Sequence, residues 1–334
     1  MRVCIFGAGA IGGYLGVQLA RAGIDVSLVA RGAHLAAMRE RGLALRIGGR
    51  EYVVRVACTD HPGELPVQDY VIVALKAHSI PAAVDSMLPL LGEGTTLVTA
   101  SNGLPYWYFD VPGVPFRGLA CASIDPDGLQ RDRLGTARAV GCVVYPAAEV
   151  AEPGVIVHEH GDRFPIGEPD GTTTSRITRL HEALAAAGFD APVRADIRDE
   201  IWLKLWGNLC FNPVSVLTGA TIDRVATDPG TRAVCLAMME EARAIGERLG
   251  LRLRVSAQRR LDGAAALGPH RMSMLQDLLH GRPMEIDALV GVVQELGRAT
   301  GVPTPIVDTV LALVRLRGLP DRSAAAATSV ATPS

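Results

Sequence analysis

The stretch Val3-Cys4-Ile5-Phe6-Gly7-Ala8-Gly9-Ala10-Ile11-Gly12 decides the fold. A short apolar run predicts a strand, and Gly-x-Gly-x-x-Gly follows it directly, leading into a helix-like segment. Gly7 would permit the tight turn, Gly9 would let the backbone approach a pyrophosphate, and Gly12 would let the helix pack closely on the sheet. The helix N-terminus then offers free N–H groups and a positive dipole end to an anion. A second strand, Asp25-Val-Ser-Leu-Val-Ala30, follows at βαβ spacing and gives the glycine motif its structural context. Working outward, the residue after that strand bears on cofactor choice. An NAD site would place Asp or Glu there for the ribose hydroxyls, whereas this chain offers Arg31, a fixed cation suited to a 2′-phosphate. The expected cofactor is therefore NADP(H).

The chain has 334 residues, 49% of them hydrophobic, and a net charge of −2, enough for two domains with substantial cores. Nothing in this balance suggests a nucleic-acid or membrane-surface partner. Residues 3–20 are uncharged, but their glycine spacing and the lack of a basic flank argue against an export signal, so a cytoplasmic location is expected. The six cysteines, at 4, 58, 121, 142, 210 and 235, are widely spaced in mostly apolar runs, as free thiols of a reducing compartment would be. No metal site is expected: no Cys-x-x-Cys occurs, and His158 and His160, although able to share a strand face, suit a packing or surface role.

Further strand-like runs at 51–57, 69–75, 95–99, 140–145 and 154–158 alternate with helical or turn-rich segments, the pattern of a doubly wound parallel sheet. Ligands gather at the carboxyl ends of such strands, which makes Lys76 and Asn102 candidate contacts. Residues 104–139, with Tyr106-Trp107-Tyr108-Phe109, read as a long functional or mobile elaboration. From about residue 195 the periodicity becomes helical, over 196–217, 228–249, 253–267, 271–280 and 284–300. The expected organisation is a Rossmann-type NADP-binding domain over 1–194, an all-α catalytic and substrate domain over 195–320, and a flexible tail over 321–334.

Within helix 196–217, Lys204, Asn208 and Asn212 fall at i, i+4 and i+8 and form one polar line. Their apolar neighbours leave little surface for solvation, so these groups are expected to point into a cleft and to meet partners there. Pro213 is expected to perturb the helix beyond Asn212. Gly281-Arg-Pro283 marks a helix end and a new start, placing Glu285 in the first turn of the next helix.

The combination of Gly7-x-Gly9-x-x-Gly12, Arg31, Leu75-Lys76, Asn102-Gly103, Lys204-x3-Asn208-x3-Asn212-Pro213, Ser273-Met-Leu-Gln-Asp277 and Glu285-Ile-Asp287 resembles the ketopantoate reductase (2-dehydropantoate 2-reductase) family, over nearly the whole chain to about residue 317. The resemblance implies an NADPH-dependent reduction of 2-dehydropantoate to (R)-pantoate in pantothenate biosynthesis. It further implies that Gly7, Ala8, Gly9, Ala10, Ile11, Gly12, Arg31, Lys76, Asn102 and Ala147 contact NADP(H). Lys204 would donate the proton, Asn102, Asn208, Asn212 and Ser273 would hold the substrate, and Glu285 would bridge cofactor and reacting centre. His270 and Val290 stand where relatives often carry asparagine, and a further substrate asparagine finds no match between 218 and 225. Two alternatives stay open on these grounds: a reductase of another small 2-oxoacid, and a non-catalytic NADP(H) sensor. A homodimer also stays open.

Overall fold

The structure, a computed structural model, describes residues 1–319, so the tail expected over 321–334 lies outside the described residues. The chain divides into two compact units: Met1–Leu205 with Gly246–Leu253, and Trp206–Ile245 with the described residues from Arg254 onward.

The first unit is built on eleven strands in two sheets. The first element, β1 (Arg2–Phe6), leads through the glycine turn into α1 (Ala10–Arg21), then β2 (Asp25–Val29) and α2 (Gly32–Arg41). Next come β3 (Leu43–Ile47), β4 (Arg50–Val54), β5 (Ala57–Thr59), β6 (Tyr70–Val73), α3 (Val84–Met87), β7 (Thr96–Thr99), α4 (Leu129–Leu134) and β8 (Ala139–Cys142). The unit continues with β9 (Ala147–Glu152), β10 (Val155–His160), β11 (Ile166–Gly167) and α5 (Ser175–Ala186).

The main sheet has the order β11-β8-β7-β6-β1-β2-β5, parallel throughout except at the β11 edge. The direction of winding reverses at β1, whose neighbours are β2 and β6, and that switch point is where open α/β sheets bind ligands. Val71, Ile72 and Val73 of β6 are buried, as a central strand covered on both faces requires.

A second sheet, of order β4-β3-β10-β9, corrects the expectation of a single sheet. The run 51–57 divides between β4 and β5, which belong to different sheets, and the run 154–158 becomes β10 of the second sheet. The signal was present in Gly48-Gly49, both at positive φ, the two-residue turn that joins β3 to β4 as a hairpin. Strands β3, β9 and β11 were not anticipated, and the pairing of β10 with β9 carries a register shift between His158 and His160.

α1 packs against both sheets. A Cβ at Gly16 would lie 2.6 Å from Leu28 of β2, and one at Gly13 would lie 2.7 Å from Ile156 of β10. Two apolar faces on one helix explain why α1 is hydrophobic nearly all round.

The start of the 104–139 segment is packed into the unit and not mobile there. Leu104, Tyr106, Trp107, Tyr108 and Phe109 are buried. Trp107 Nε1 donates to Thr99 Oγ1 (3.1 Å), Tyr106 OH to the Gly135 carbonyl (2.9 Å), and Tyr108 OH to the Arg198 carbonyl (3.0 Å). Each ring thus buries its apolar body and finds a partner for its polar tip.

The long helix α6 (Ile197–Thr218) begins in the first unit and continues into the second. Pro213 removes one backbone donor, yet the helix does not end there and runs on to Thr218, with Phe211, Val214 and Val216 around it buried. α7 (Ile222–Thr227), α8 (Pro229–Arg248), α9 (Ala257–Ala265) and α10 (Ser273–Leu279) follow, then a π-helical turn Asp287–Gly291, α11 (Val292–Thr300) and α12 (Pro305–Arg317). The run 284–300 therefore opens as a π turn and not as a uniform helix, and α7 and α12 were not anticipated.

Replacing Trp107 by Ala is expected to lower the unfolding free energy by about 3–5 kcal/mol, the cost of emptying a buried aromatic site. Urea denaturation checks this, and a loss below ~1 kcal/mol would show that the 104–139 segment is not an integral part of the core.

Candidate functional site

The glycine turn after β1 is shaped by three steric constraints. Gly7 has φ +104°, and a Cβ there would lie 2.7 Å from Leu75 Cδ2. A Cβ at Gly12 would sit 2.0 Å from the Gly7 carbonyl oxygen and 2.9 Å from Ile5 Cγ2, so α1 can approach β1 this closely only with glycine at that position. Gly9 meets nothing within 4 Å, and that open space is what a pyrophosphate needs at the start of a helix.

Beside this turn lies a cavity of about 560 Å³. Gly7, Ala8, Gly9, Arg31, His34 and Leu75 are among its lining residues. Arg31 is exposed at the N-terminal end of α2, immediately past β2. Its guanidinium is available to an anionic substituent on a ribose held against the end of β2. The volume, the bare Gly9 and the cation at the second strand end together fit a phosphorylated dinucleotide.

His34 is a feature of this cavity that the sequence reading missed. The Gly154 N–H donates to His34 Nδ1 (3.0 Å), which fixes the proton on Nε2, and Nε2–H donates to the Ala8 carbonyl (2.8 Å). A neutral imidazole thus ties the glycine turn to the β9–β10 hairpin. Burial pushes its pKa below the ordinary imidazole value, outweighing the opposing bond to Ala8. A histidine three residues after Arg31 carries no distinctive sequence signal; only the fold brings Gly154 to it.

At the carboxyl ends of the other parallel strands, Lys76 follows β6 as a part-buried residue, and Asn102 follows β7 with Gly103 at φ +84°. Beyond the end of β8, the Lys204 ammonium donates to the Val144 carbonyl. Lys204 Nζ lies 5.7 Å from the Tyr145 ring centroid, and Tyr145 is oriented by donating its hydroxyl to Glu200 Oε1 (3.0 Å). Lys76, Asn102 and Lys204 therefore share the strand-end edge of the first unit, where helix α6 delivers Lys204. Ala147 begins β9, opposite His160, and is not among the residues that line the cavity.

In the second unit Asn212 is fully buried. Its Oδ1 accepts from the Met274 N–H (3.1 Å) and the Ser273 hydroxyl (3.4 Å), joining α6 to the start of α10. Its Nδ2 is buried without a partner among the described residues, an uncompensated donor of the kind a ligand oxygen can satisfy. Asn208, one turn earlier, is part-buried. Glu285 is 7% exposed and stands just before the π turn, its carbonyl accepting from the Leu289 N–H (3.1 Å). It therefore lies at the helix entrance and not within the first turn. Val290 is fully buried in that turn, whereas His270 is part-buried.

A nucleotide-type sheet followed by a helical unit, with a lysine at the strand ends, defines a dinucleotide-binding protein of oxidoreductase type. The comparisons give the family. The profile described as ketopantoate reductase PanE/ApbA matches residues 3–106, and that of its C-terminal domain matches residues 196–318. A 2-dehydropantoate 2-reductase of Mesorhizobium japonicum is 54% identical, over 94% of this chain and 97% of the relative. A solved PanE/ApbA family ketopantoate reductase from Ralstonia eutropha JMP134 is 30% identical with a TM-score of 0.82, covering 95% of this chain and 98% of that one. Another solved 2-dehydropantoate 2-reductase, from Geobacter metallireducens, is 26% identical with a TM-score of 0.83, covering 95% and 99%. The chain belongs to the ketopantoate reductase family.

Two outcomes are expected from this geometry. Arg31→Ala should weaken NADPH by about 10–100-fold and NADH far less, as loss of a charge-assisted phosphate contact requires; equal losses in parallel titrations would place the phosphate elsewhere. Because the folded-state pKa of His34 is depressed, the unfolded chain binds the proton more readily, so His34 contributes stability above the unfolded-state pKa and loses it as pH falls through the folded value. His34→Gln should flatten that part of the acid limb in a stability–pH profile, and an unchanged limb would rule out the linkage.

Proposed function

We propose that this protein is an NADPH-dependent reductase that converts 2-dehydropantoate to (R)-pantoate. The observation that carries the reading is the placement of Lys204 at the strand-end edge by a helix that also bears Asn208 and Asn212, in a chain of this family. Residues 1–194 would form the cofactor-binding portion and 195–320 the helical substrate portion. Gly7 to Gly12, Arg31, Lys76, Asn102 and Ala147 would hold NADP(H), with Glu285 at its reacting end.

The dinucleotide supplies the hydride to the C2 carbonyl carbon. As charge develops on the carbonyl oxygen, Lys204 Nζ stabilises it and delivers its proton, leaving a 2-hydroxy acid. Val144 and the Tyr145 ring orient the ammonium beforehand, so little reorganisation is needed. Asn102, Asn208 and Asn212 supply neutral amides, and Ser273 a hydroxyl, to fix the substrate's polar groups. Asn212 has a buried amide N–H to offer while its oxygen is already engaged. Glu285, buried, would orient the substrate oxygen. A reducing compartment suits the six free cysteines, five of them buried, and among the described residues no helix is long and apolar enough to cross a membrane.

His270 favours a second reading, reduction of a different small 2-oxoacid, because it is part-buried where relatives often carry asparagine. Val290, fully buried in the π turn, is the second such departure.

Following NADPH oxidation with ketopantoate and a panel of 2-oxoacids separates the two readings: clear preference for another acid would displace the first. Lys204→Ala is expected to lower turnover by about 10²–10⁴-fold with NADPH binding retained. Turnover at the wild-type level would remove Lys204 as the proton donor.

A further inference from the structure

The tip of the β9–β10 hairpin is seated on α2. Gly154 has φ +83°, and a Cβ there would lie 3.0 Å from Ala37 Cβ. Positive φ and close approach together call for glycine. The Pro153 carbonyl accepts from Arg41 Nη2 (3.2 Å), and the Gly154 carbonyl accepts from the Ala44 N–H (2.9 Å). His34, Ala37 and Arg41 fall at i, i+3 and i+7, so one face of α2 meets the hairpin. Held there through the Gly154 N–H, the part-buried imidazole of His34 keeps its Nε2–H for the Ala8 carbonyl.

That second bond fixes one peptide. A trans peptide carries its C=O and N–H on opposite sides, so drawing the Ala8 carbonyl to His34 turns the Gly9 N–H the other way. The Gly9 N–H makes no hydrogen bond among the described residues. Gly9 lines the cavity with open space at its Cα, and α1 begins at the next residue. The orientation of this peptide therefore decides whether Gly9 adds its N–H to those of the first helical turn in facing a pyrophosphate. The charged and titratable groups around His34 are Arg31 and Arg41 on its own helix, Asp60 and His78 in the same cavity, and Glu152 beside the hairpin tip. Asp60 is paired with Arg39 (3.4 Å) and Glu152 with Arg46 (3.5 Å), and residues 7–20 hold no charge. A proton on Nδ1 would set two donors against each other, so an imidazolium cannot keep the bond from Gly154.

We propose that His34 is a positioning residue for the dinucleotide: held by Gly154, its neutral Nε2–H form fixes the Ala8 carbonyl and so aims the Gly9 peptide at the pyrophosphate, which ties cofactor affinity to the protonation of one histidine. This rests on the reading of the cavity as an NADP(H) site. Burial already lowers the pKa of His34, and a cofactor that requires the neutral ring lowers it further. Affinity is therefore full above the pKa of the cofactor-free protein and falls as pH drops through it. A phosphate acting on the ring through space would do the opposite, favouring the imidazolium and tightening binding in acid.

The test titrates NADP+ by calorimetry into wild type, His34→Gln and His34→Leu between about pH 8 and about pH 5, with circular dichroism confirming the fold at each pH. At the alkaline end His34→Leu is expected to weaken NADP+ by about 5–30-fold. His34→Gln, whose amide can accept from Gly154 and donate to Ala8, should recover most of that loss. Towards acid, wild-type affinity should fall at least about threefold more than that of His34→Gln, which shares the titration of the cofactor's own 2′-phosphate but has no ring to protonate. A histidine of purely structural value would lower the melting temperature in His34→Leu and leave the affinity of the folded chain unchanged. That result, matching pH profiles in wild type and His34→Gln, or affinity that rises in acid would overturn the proposal. Should His34→Leu fail to fold, the wild type and His34→Gln profiles decide alone. Failure of the wild type to bind NADP+ at any pH would remove the dinucleotide reading and the proposal with it, whereas binding with matching profiles would remove the proposal only.

Discussion

The closest constraint in the molecule is the approach of α1 to β1. Gly12 lies so near the Gly7 carbonyl that any side chain would overlap it, and Gly13 and Gly16 let the same helix lie against Ile156 of one sheet and Leu28 of the other. Three glycines thus let one helix serve as the middle layer of the first unit. The turn before it inherits its position from that packing: Gly7 is confined by Leu75, Gly9 is left bare, and the cavity opens beside them. The second sheet supports the arrangement from its far side, since Gly154 in the β9–β10 hairpin holds His34, and His34 holds Ala8.

α6 imposes the second constraint. Its apolar neighbours bury it, so each polar group on it must be satisfied or left as a cost. Lys204 meets Val144, and Asn212 meets the start of α10 through one atom while the other stays unsatisfied among the described residues. The aromatic segment after β7 braces the start of this helix. Tyr108 donates to the Arg198 carbonyl, and Arg198 Nε returns a bond to the Tyr108 carbonyl (3.1 Å). Rigidity at the root of α6 sets how accurately Lys204 is delivered to the strand ends, and accuracy of that kind is what preorganised charge stabilisation demands.

Much of this was legible in the chain because the governing effects are local. A strand followed by Gly-x-Gly-x-x-Gly specifies a turn and a close helix through φ and missing side chains alone. The i, i+4 and i+8 spacing of Lys204, Asn208 and Asn212 specifies one helical face, and the apolar run 71–75 reads as a central strand. The helices 196–217 and 228–249 correspond to α6 and α8 within a residue at each end.

What escaped the sequence depends on segments far apart in the chain. Alternation in 51–57 looks the same whether one strand or two are formed, and only pairing partners from residues 25–29 and 43–47 assign β5 and β4 to different sheets. Tyr106 to Phe109 could not be told from a mobile loop until Thr99, Gly135 and Arg198 supplied their bonds. Pro213 reads as a perturbation of α6, and the helix nonetheless continues through it to Thr218. By itself, then, the sequence determined the nucleotide turn, the succession of α/β and helical segments and the polar face of α6, because periodicity and backbone sterics act within a few residues. Tertiary structure alone decided the second sheet and the tautomer and place of His34, because each needs two segments brought into contact by packing that no local pattern encodes.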